Sequence, residues 1–251
     1  AILQSVEASS LPRTLRVLAL QQSGLTSVGG LEKLTQLLEL YLNKSHLTSV
    51  EGLETLTQLQ YLVLDNNQLT SVEGLEKLTQ LQNLVLDNNQ LTSVEGLEKL
   101  TQLQRLLLDN NQLTSVEGLE TLTQLQYLLL DNNQLTSAEG LEKLTQLQTL
   151  TLDNNQLTSV GLEKLTQLQR LNLGNNKLTS VEGLEQLTQQ AGAAADAVQT
   201  LFLANNQLAT IPRGLASLRS LSFLGIDGAQ QRAFRSRLQS LAPGVVRVRQ
   251  G

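Results

Sequence analysis

The sequence predicts a solenoid of about ten stacked coils, each built from one short strand and one return segment. The first observation is the stretch LQYLVLDNNQLTSVEGLEKLTQL from Leu59 to Leu81, which recurs with a period of 22 residues. Close copies begin at Leu81, Leu103, Leu125 and Leu147, and looser copies begin at Leu15, Leu37, Leu168, Val198 and Leu221. The second is the regular leucine spacing inside each copy. A fixed period of this length is typical of repeat arrays, so we expect one elongated domain.

The spacing of apolar residues within a copy assigns the two walls of each coil. Leu62 and Leu64 are two residues apart, so on a strand both point to the same side. The residues just before them, Tyr61 and Val63, point to the other side. Apolar residues then recur at every third position, at Val72, Leu75, Leu78 and Leu81. That period favours a 3₁₀-like or loosely helical return segment whose apolar side is buried by the neighbouring coils.

The copies also place the strands and the boundaries of the array. Strands are expected near residues 15–20, 37–42, 59–64, 81–86, 103–108, 125–130, 147–152, 168–173, 198–203 and 221–226. We expect residues 1–14 to form an N-terminal cap, residues 15–228 the repeat array and residues 229–251 a C-terminal cap, because a terminal coil lacks a neighbour.

The C-terminal cap is predicted to contain a helix and a strand. The helix is indicated by apolar residues at helical spacing, Ala233, Phe234, Leu238 and Leu241. The strand is indicated by Val246 and Val248 alternating with Arg247 and Arg249. Charged residues on such a terminal strand discourage edge pairing.

Two copies depart from the regular length. Val160 is followed directly by Gly161, so that copy lacks the glutamate found in the others and is one residue short. The segment Gln189–Ala197, with sequence QQAGAAADA, lengthens a later return segment. Its alanines favour an extra helical turn, which is either an evolutionary remnant or a docking element.

Composition narrows the possible classes of function. The chain has no cysteine, so it forms no disulfide and no thiolate metal site. No apolar run approaches the roughly 18 residues of a membrane span. The net charge of -5 divides into -11 over residues 1–198 and +6 over residues 199–251. This division either keeps a long molecule soluble or lets the basic end dock an acidic partner. Nucleic acid is the weakest candidate partner for that end.

The spacing LxxLxLxxNxL, with Asn67 at the N position, resembles the leucine-rich repeat family. The segment 71–75, SVEGL, is similar to repeats of the type 1 protein phosphatase regulatory subunit, and the segment 64–68, LDNNQ, to repeats of bacterial internalins. The resemblance implies a curved α/β solenoid with a parallel sheet on its concave face and 3₁₀ or short helices on its convex side. It also implies a structural asparagine column, Asn67, Asn89, Asn111, Asn133, Asn155, Asn176 and Asn206, with Ser23, Ser45 and Ala229 at the corresponding positions near the ends.

The copies differ chiefly at two outward strand positions, which we call the first and second columns. The first column reads Val17, Glu39, Tyr61, Asn83, Arg105, Tyr127, Thr149, Arg170, Thr200 and Phe223. The second column reads Ala19, Tyr41, Val63, Val85, Leu107, Leu129, Thr151, Asn172, Phe202 and Gly225. Five of the six aromatic residues lie in these columns, and so do the only two arginines between residues 17 and 212. Tyrosine and arginine are frequent energetic anchors of interfaces. The candidate ligand-binding residues are Glu39, Tyr41, Tyr61, Val63, Asn83, Val85, Arg105, Leu107, Tyr127, Leu129, Arg170, Asn172, Phe202 and Phe223.

An alternative interpretation is that tyrosine and β-branched residues simply suit a sheet surface. That alternative does not account for arginine, asparagine and glutamate in the same column. A third column, the acidic column, consists of Asp65, Asp87, Asp109, Asp131 and Asp153. It is either an acidic rim that attracts a basic partner and weakly holds a cation, or a set of residues that each support their own turn.

No catalytic constellation is found in the sequence. His46 is the only histidine and is expected at an exposed turn, and no phosphate-binding glycine loop is present. Glu73 and Glu76 recur on the return segment, so they are expected to be solvated surface residues and not a tuned acid and base. We expect no cofactor and no metal.

The predicted function is therefore a non-enzymatic module that binds a protein or peptide on its concave face, and we expect a monomer. The alternatives are a phosphatase-regulating subunit, an internalin-like adhesin, and a designed or consensus scaffold without a native ligand. The chain begins with Ala1 and has no methionine, which favours a trimmed or engineered start. A cytoplasmic location is slightly favoured, and a secreted or cell-surface location follows if a signal peptide was removed.

Overall fold

The computed structural model describes residues 11–188, 198–209, 220–233 and 246–249. These residues form a solenoid in which every coil contributes one strand to a single eleven-stranded parallel sheet, in the order β1 to β11. The strands are β1 Val17–Ala19, β2 Glu39–Tyr41, β3 Tyr61–Val63, β4 Asn83–Val85, β5 Arg105–Leu107, β6 Tyr127–Leu129, β7 Thr149–Thr151, β8 Arg170–Asn172, β9 Thr200–Phe202, β10 Phe223–Asp227 and β11 Val246–Arg249. The predicted α/β solenoid is confirmed.

Most strands are shorter than the six residues predicted from the repeat. In β3, for example, only residues 61–63 are strand, with Leu62 buried between two half-buried neighbours. The pairing nevertheless continues just outside the strand, because the Leu64 N–H donates to the Val85 carbonyl at 2.8 Å. The repeat period sets the register, so Leu62 lies beside Leu84, and each outward residue lies beside its equivalent in the next copy.

The return segments contain 3₁₀ helices, as the period of three predicted. They are Leu31–Lys33, Leu53–Thr55, Leu75–Lys77, Leu97–Lys99, Leu119–Thr121, Leu141–Lys143 and Leu184–Thr188. Gly74 precedes one of them with φ 98, a left-handed conformation that glycine adopts readily. Its N–H donates to the Glu76 carboxylate at 2.7 Å, whereas Glu73 is exposed. The glutamates equivalent to Glu76 therefore support the turn, and only Glu73 and its equivalents are the surface residues that the sequence predicted.

The core is a continuous stack of leucines running the length of the array. Leu62, Leu64, Leu75 and Leu78 are all fully buried, and so are their equivalents in the neighbouring coils. Each coil thus buries its apolar side chains against the coils before and after it, as expected for a repeat array. This unchanging core holds the outward side chains of the sheet at fixed spacing.

The shortened copy loses its local helix. Between Val160 and Leu168 the chain forms turns where the regular copies form a 3₁₀ helix, and a 3₁₀ helix returns at Leu184–Thr188. Without the glutamate between Val160 and Gly161, the copy is one residue too short for the regular turn. The strand that follows, β8, still pairs in register with β7, so the deletion is absorbed on the convex side.

The C-terminal end has one strand more than the ten that the copies predicted. The helix α1 spans Gly228–Ala233, and β11 then pairs in parallel with β10. The predicted terminal strand is therefore present, and it pairs with the array through β10. The predicted helix residues 234–241, the insertion 189–197 and the first ten residues of the N-terminal cap lie outside the described residues. The cap boundaries remain predictions. Within the described ranges, no helix is long and apolar enough to cross a membrane.

Candidate binding surface

The asparagine column fixes each coil to its neighbour, as the sequence predicted. The Asn111 side chain accepts a hydrogen bond from the Leu91 N–H at 3.0 Å. Its amide nitrogen donates to the Leu86 carbonyl at 3.0 Å and to the Leu108 carbonyl at 3.1 Å. These backbone groups lie in the turn, where no ladder partner is available, and buried polar groups require partners. Asn67, Asn89, Asn133, Asn155, Asn176 and Asn206 make the equivalent bonds.

The asparagine column agrees with the prediction at its N-terminal end and differs from it at its C-terminal end. Ser45 is buried, and its hydroxyl lies 3.3 Å from that of Ser23, so the first two positions are occupied by the short side chains that the sequence indicated. At the last coil Ala229 is exposed, and the buried residue is Gln230. The Gln230 side-chain nitrogen donates to the Leu203 carbonyl at 3.0 Å, which is the bond that an asparagine makes in the regular coils. The ladder is therefore completed by a residue that the repeat pattern does not identify.

The two outward columns lie on the concave sheet with the spacing that the period predicted. All fourteen candidate residues fall in strands β2 to β10, on either side of a buried leucine. Arg105 and Arg170 are exposed, and the other candidates are half-buried. Thr151 is an exception in the second column, because it is buried with 6% exposure. The columns form one surface, on which the side chains group into three clusters.

The first cluster lies at the N-terminal end of the sheet. The Tyr41 and Tyr61 ring centroids are 6.3 Å apart. The Tyr41 hydroxyl donates to the Glu39 carboxylate at 2.8 Å, and this hydrogen bond is the main cause of a raised Tyr41 pKa. Glu39 is thus paired within the surface, so the tyrosine ring is held in place and its hydroxyl already has an acceptor.

The second cluster combines an apolar strip with a stacked arginine. Val63, Val85, Leu107 and Leu129 are consecutive in the second column and half-buried. Beside them in the first column, the guanidinium carbon of Arg105 lies 4.6 Å from the centre of the Tyr127 ring. A guanidinium in this position is attracted to the ring face, and its N–H groups can still donate hydrogen bonds to a ligand.

The third cluster occupies the C-terminal end of the sheet. The Phe202 and Phe223 ring centroids are 4.9 Å apart, and the Arg170 guanidinium carbon lies 6.0 Å from the Phe202 ring centre. Gly225 makes room for this arrangement, because a Cβ at that position would lie 2.6 Å from Phe202 Cδ1. The glycine therefore permits the Phe202 ring to lie over the β10 backbone. Apart from its place in the second column, no feature of the sequence identifies Gly225 as a residue that supports the site.

The acidic column has structural partners. The Asp87 carboxylate accepts the Asp109 N–H at 2.8 Å, and the Asp109 carboxylate accepts the Asp131 N–H at 2.7 Å. Asp131 accepts the Asp153 N–H at 2.7 Å in the same way. Asp65 bonds the Asn66 side chain in its own turn at 2.6 Å. Three aspartates thus join successive coils and one supports its own turn, so this column contributes to the frame. An attraction for a basic partner remains a prediction.

Burial perturbs the charge of this column. The pKa of Asp87 is raised to about 6 and that of Asp109 to about 7, chiefly by desolvation and also by the neighbouring carboxylates, while the backbone N–H of the next coil acts in the opposite direction. Desolvation also raises the pKa of Asp131, while the Asp153 N–H, the Thr151 hydroxyl and the Arg170 guanidinium act in the opposite direction. The central part of the column therefore carries less than its formal negative charge near neutral pH.

The only histidine of the sequence lies on the surface. His46 is exposed, and its Nδ1 lies 3.4 Å from the Gln68 side-chain nitrogen. Across the part of the chain that the structure describes, no group of three or more histidines and carboxylates is placed to hold a metal ion. Two shallow convex grooves of about 500 Å³ and 510 Å³ are lined by residues of the repeated return segments, including Glu73 and Glu95.

Stacked coils with an internal asparagine ladder and a variable sheet surface define a repeat protein of the solenoid class. A family model described as Leucine Rich repeats (2 copies) matches residues 57–99, 101–143, 123–164 and 145–186. These segments span just over half of the chain, which therefore belongs to the leucine-rich repeat family. Among curated proteins, no sequence matches the chain significantly.

Solved structures with the same fold include two internalins from Listeria monocytogenes. Internalin inlF is 27% identical, with a TM-score of 0.82, over 95% of this chain and 68% of that one. Internalin C2 is 30% identical, with a TM-score of 0.63, over 78% of this chain and 80% of that one. The resemblance to internalins is thus supported by the fold.

A plant receptor is similar over part of its length. The ectodomain of the receptor kinase GASSHO1/SCHENGEN3 from Arabidopsis thaliana, in complex with CASPARIAN STRIP INTEGRITY FACTOR 2, is 26% identical with a TM-score of 0.75. The alignment covers 93% of this chain and 30% of that ectodomain. This chain therefore corresponds to a fraction of the receptor's repeat array.

Proposed function

We propose that this chain is a non-enzymatic module that binds a protein or peptide on the concave face of its sheet. The observation that carries the proposal is the contrast between an unchanging frame and a variable outward surface. The leucines and asparagines repeat from coil to coil and are almost all buried, whereas the first and second columns vary and, apart from Thr151 and Gly225, are exposed or half-buried. The scarce aromatic residues and arginines are concentrated there, and such residues are frequent binding anchors.

The comparisons support a binding role of this general kind. Solenoids offer extended concave surfaces for recognition, and one similar ectodomain was solved with a bound partner. Preorganisation supports the same role, because Arg105 and Tyr41 are already held by neighbouring side chains. Less side-chain entropy is then lost when a ligand binds. We propose that the chain acts as a monomer, which light scattering in solution tests.

The experiment is a selection of binders from a displayed library of random dodecapeptides, followed by scoring on two variants. The concave variant carries Tyr61→Ala, Arg105→Ala, Tyr127→Ala and Arg170→Ala. The convex control carries Glu73→Ala, Lys77→Ala, Glu95→Ala and Lys99→Ala, four exposed positions on the return segments. Most selected peptides should lose binding to the concave variant and keep binding to the convex control. Equal retention on both variants would rule out the concave face as the preferred surface.

An internalin-like adhesin is a second candidate function, favoured by the similarity to internalin inlF over 95% of this chain. Such a role requires that the protein reach the cell surface. Accessibility of the full-length product to a protease added to intact cells of the source organism tests it. Full protection of the protein in intact cells would exclude this role while leaving ligand binding by the concave face unaffected.

A further inference from the structure

Charge on the concave surface changes along the sheet. In the two columns from β4 to β10, the only charged side chains are Arg105 and Arg170, and no carboxylate is present. The one carboxylate among the candidate residues, Glu39, lies on β2, two strands before β4. It accepts a hydrogen bond from the Tyr41 hydroxyl. The C-terminal two-thirds of the surface is therefore positive within a body whose overall charge is negative.

The two arginines share the same local arrangement. Each is exposed, and each guanidinium lies against an aromatic ring of the following coil, at 4.6 Å for Arg105 with Tyr127 and 6.0 Å for Arg170 with Phe202. Stacking limits the motion of a guanidinium. Its planar set of N–H groups can then bind one carboxylate through two parallel hydrogen bonds. No salt bridge to either arginine is found among the described residues.

The acidic column beside this surface cancels only part of its charge. Its interaction with Arg170 is through Asp131, where burial raises the pKa of the carboxyl and the guanidinium acts in the opposite direction. Asp87, Asp109 and Asp131 direct carboxylate oxygens to backbone N–H groups of the next coil, at 2.7 to 2.8 Å. Burial also holds the pKa of Asp87 at about 6 and that of Asp109 at about 7. Part of the column is consequently protonated near neutral pH, which lowers its repulsion of an acidic ligand.

The spacing of the arginines selects a ligand geometry. Arg105 on β5 and Arg170 on β8 are three strands apart, which is about 14 Å at the usual spacing of about 4.8 Å. An extended peptide rises about 3.3 Å per residue, so side chains four residues apart lie about 13 Å apart on one side. A helix would need about nine residues to cover the same distance. Beyond Arg170, the rings of Phe202 and Phe223 offer an apolar contact.

We infer that the concave surface from β5 to β10 binds an extended acidic segment of a protein or peptide. Two carboxylates four residues apart bind Arg105 and Arg170, and an apolar side chain beyond the second carboxylate packs on Phe202 and Phe223. This inference rests on the proposed function and adds the chemical class of the ligand. It predicts that acidic peptides bind more tightly than neutral or basic ones, which binding on the concave face does not by itself require.

The test uses labelled synthetic dodecapeptides and fluorescence anisotropy. One series carries two glutamates at positions i and i+2, i+4, i+6 or i+9, followed by a leucine two positions after the second glutamate. Matched peptides carry glutamine or lysine in place of glutamate. We expect the four-residue glutamate peptide to bind at least about tenfold more tightly than its glutamine match, and more weakly as salt increases. Arg105→Ala and Arg170→Ala should each remove most of that advantage, whereas Lys99→Ala on the convex side should not.

The outcomes separate this inference from the proposed function. Equal binding of glutamate and glutamine peptides, or an advantage that survives both arginine substitutions, would overturn the inference. Tightest binding at the nine-residue spacing would also overturn it, because the ligand would then be helical. If library peptides without acidic residues bind the native chain and lose binding to the concave variant, the proposed function stands without the inference. If no peptide of any composition depends on the concave residues, both fail.

Discussion

Arg105 and Tyr127 are neighbours in the sheet register, and the guanidinium carbon of Arg105 lies 4.6 Å from the centre of the Tyr127 ring. The contact is possible because the two residues occupy the same outward column on adjacent strands. It combines a positive charge and an aromatic surface at one place, which is the arrangement expected of an energetic anchor.

The Arg105–Tyr127 contact should be measurable as a coupling energy. In a double-mutant cycle of Arg105→Ala and Tyr127→Ala, we expect a coupling of about 0.5–1 kcal/mol in the free energy of unfolding, since the arginine is exposed. Urea denaturation of the four proteins measures it. Arg105 with Tyr61, two strands away, is the matched control, and its coupling should be close to zero. Equal couplings in the two cycles would show that the contact adds nothing specific.

The asparagine ladder should be a large source of stability at each coil. Asn111→Ala removes a side chain that bonds backbone groups of two coils. The buried Leu91 N–H then loses its acceptor, and the Leu86 and Leu108 carbonyls keep only their bonds from Asn89 and Asn133. We expect a loss of about 2–4 kcal/mol in the free energy of unfolding. Gln112→Ala, at the exposed position next to it, should cost less than about 0.5 kcal/mol. Similar losses from the two substitutions would contradict the structural role of the ladder.

A glycine should be needed at position 225 because the Phe202 ring occupies the space of a side chain, and not because of the backbone conformation of Gly225. Gly225→Ala places a Cβ 2.6 Å from Phe202 Cδ1, so the ring must move or the strand must shift. We expect a cost of about 1–3 kcal/mol, measured by thermal or urea unfolding. In a Phe202→Ala background, the same substitution should cost much less because the clash is absent. A cost that is unchanged by removing the ring would place the constraint elsewhere.

Asp109 should make stability depend on pH. Its folded pKa is about 7, against an ordinary value of about 3.9, so the folded state retains a proton that the unfolded state has lost. The native chain therefore loses stability from this group as pH rises through that interval. Asp109→Asn keeps an oxygen that accepts the Asp131 N–H but carries no charge.

Relative to the native chain, Asp109→Asn should gain about 1 kcal/mol between about pH 4 and about pH 8, less than the full pKa shift implies because solvent screens the group. Unfolding measured across this range tests the prediction. Asp65→Asn is the control, since the Asp65 carboxylate accepts a hydrogen bond from the neighbouring Asn66 side chain of its own turn and not from the next coil. If the asparagine variant became less stable relative to the native chain as pH rises, the burial of the Asp109 charge would be contradicted.

The regular part of the fold can be predicted from the sequence because the same spacing of leucines and asparagines recurs in every copy. Leu62 and Leu64 recur with their spacing intact, so the buried side of the strand is set by the alternation alone. Asn67 is identified by its place in that pattern, and its bonds lie where the turn leaves backbone groups without ladder partners. The outward position of Tyr61 and Arg105 follows from the same alternation.

Other features depend on how neighbouring coils are offset, which the sequence pattern does not contain. The bond from the Asp109 N–H to Asp87 requires the carboxylate to point along the array, whereas the residue pattern is equally compatible with support of its own turn. Gln230 completes the ladder because α1 begins directly after β10 and turns its side chain inward, while repeat counting points to Ala229. The contact between the Arg105 guanidinium and the Tyr127 ring depends on a side-chain rotamer, so the repeat period does not predict it either.

Binding on the concave face is best tested by a structure of the chain bound to a dodecapeptide selected from the random library. We expect the peptide to lie across the strands and to contact side chains of the first and second columns, with Arg105, Tyr127 and Arg170 among them. The leucine core and the asparagine ladder should be unchanged by binding. A peptide seated on the 3₁₀ helices of the convex side, with the concave columns still open to solvent, would contradict the account.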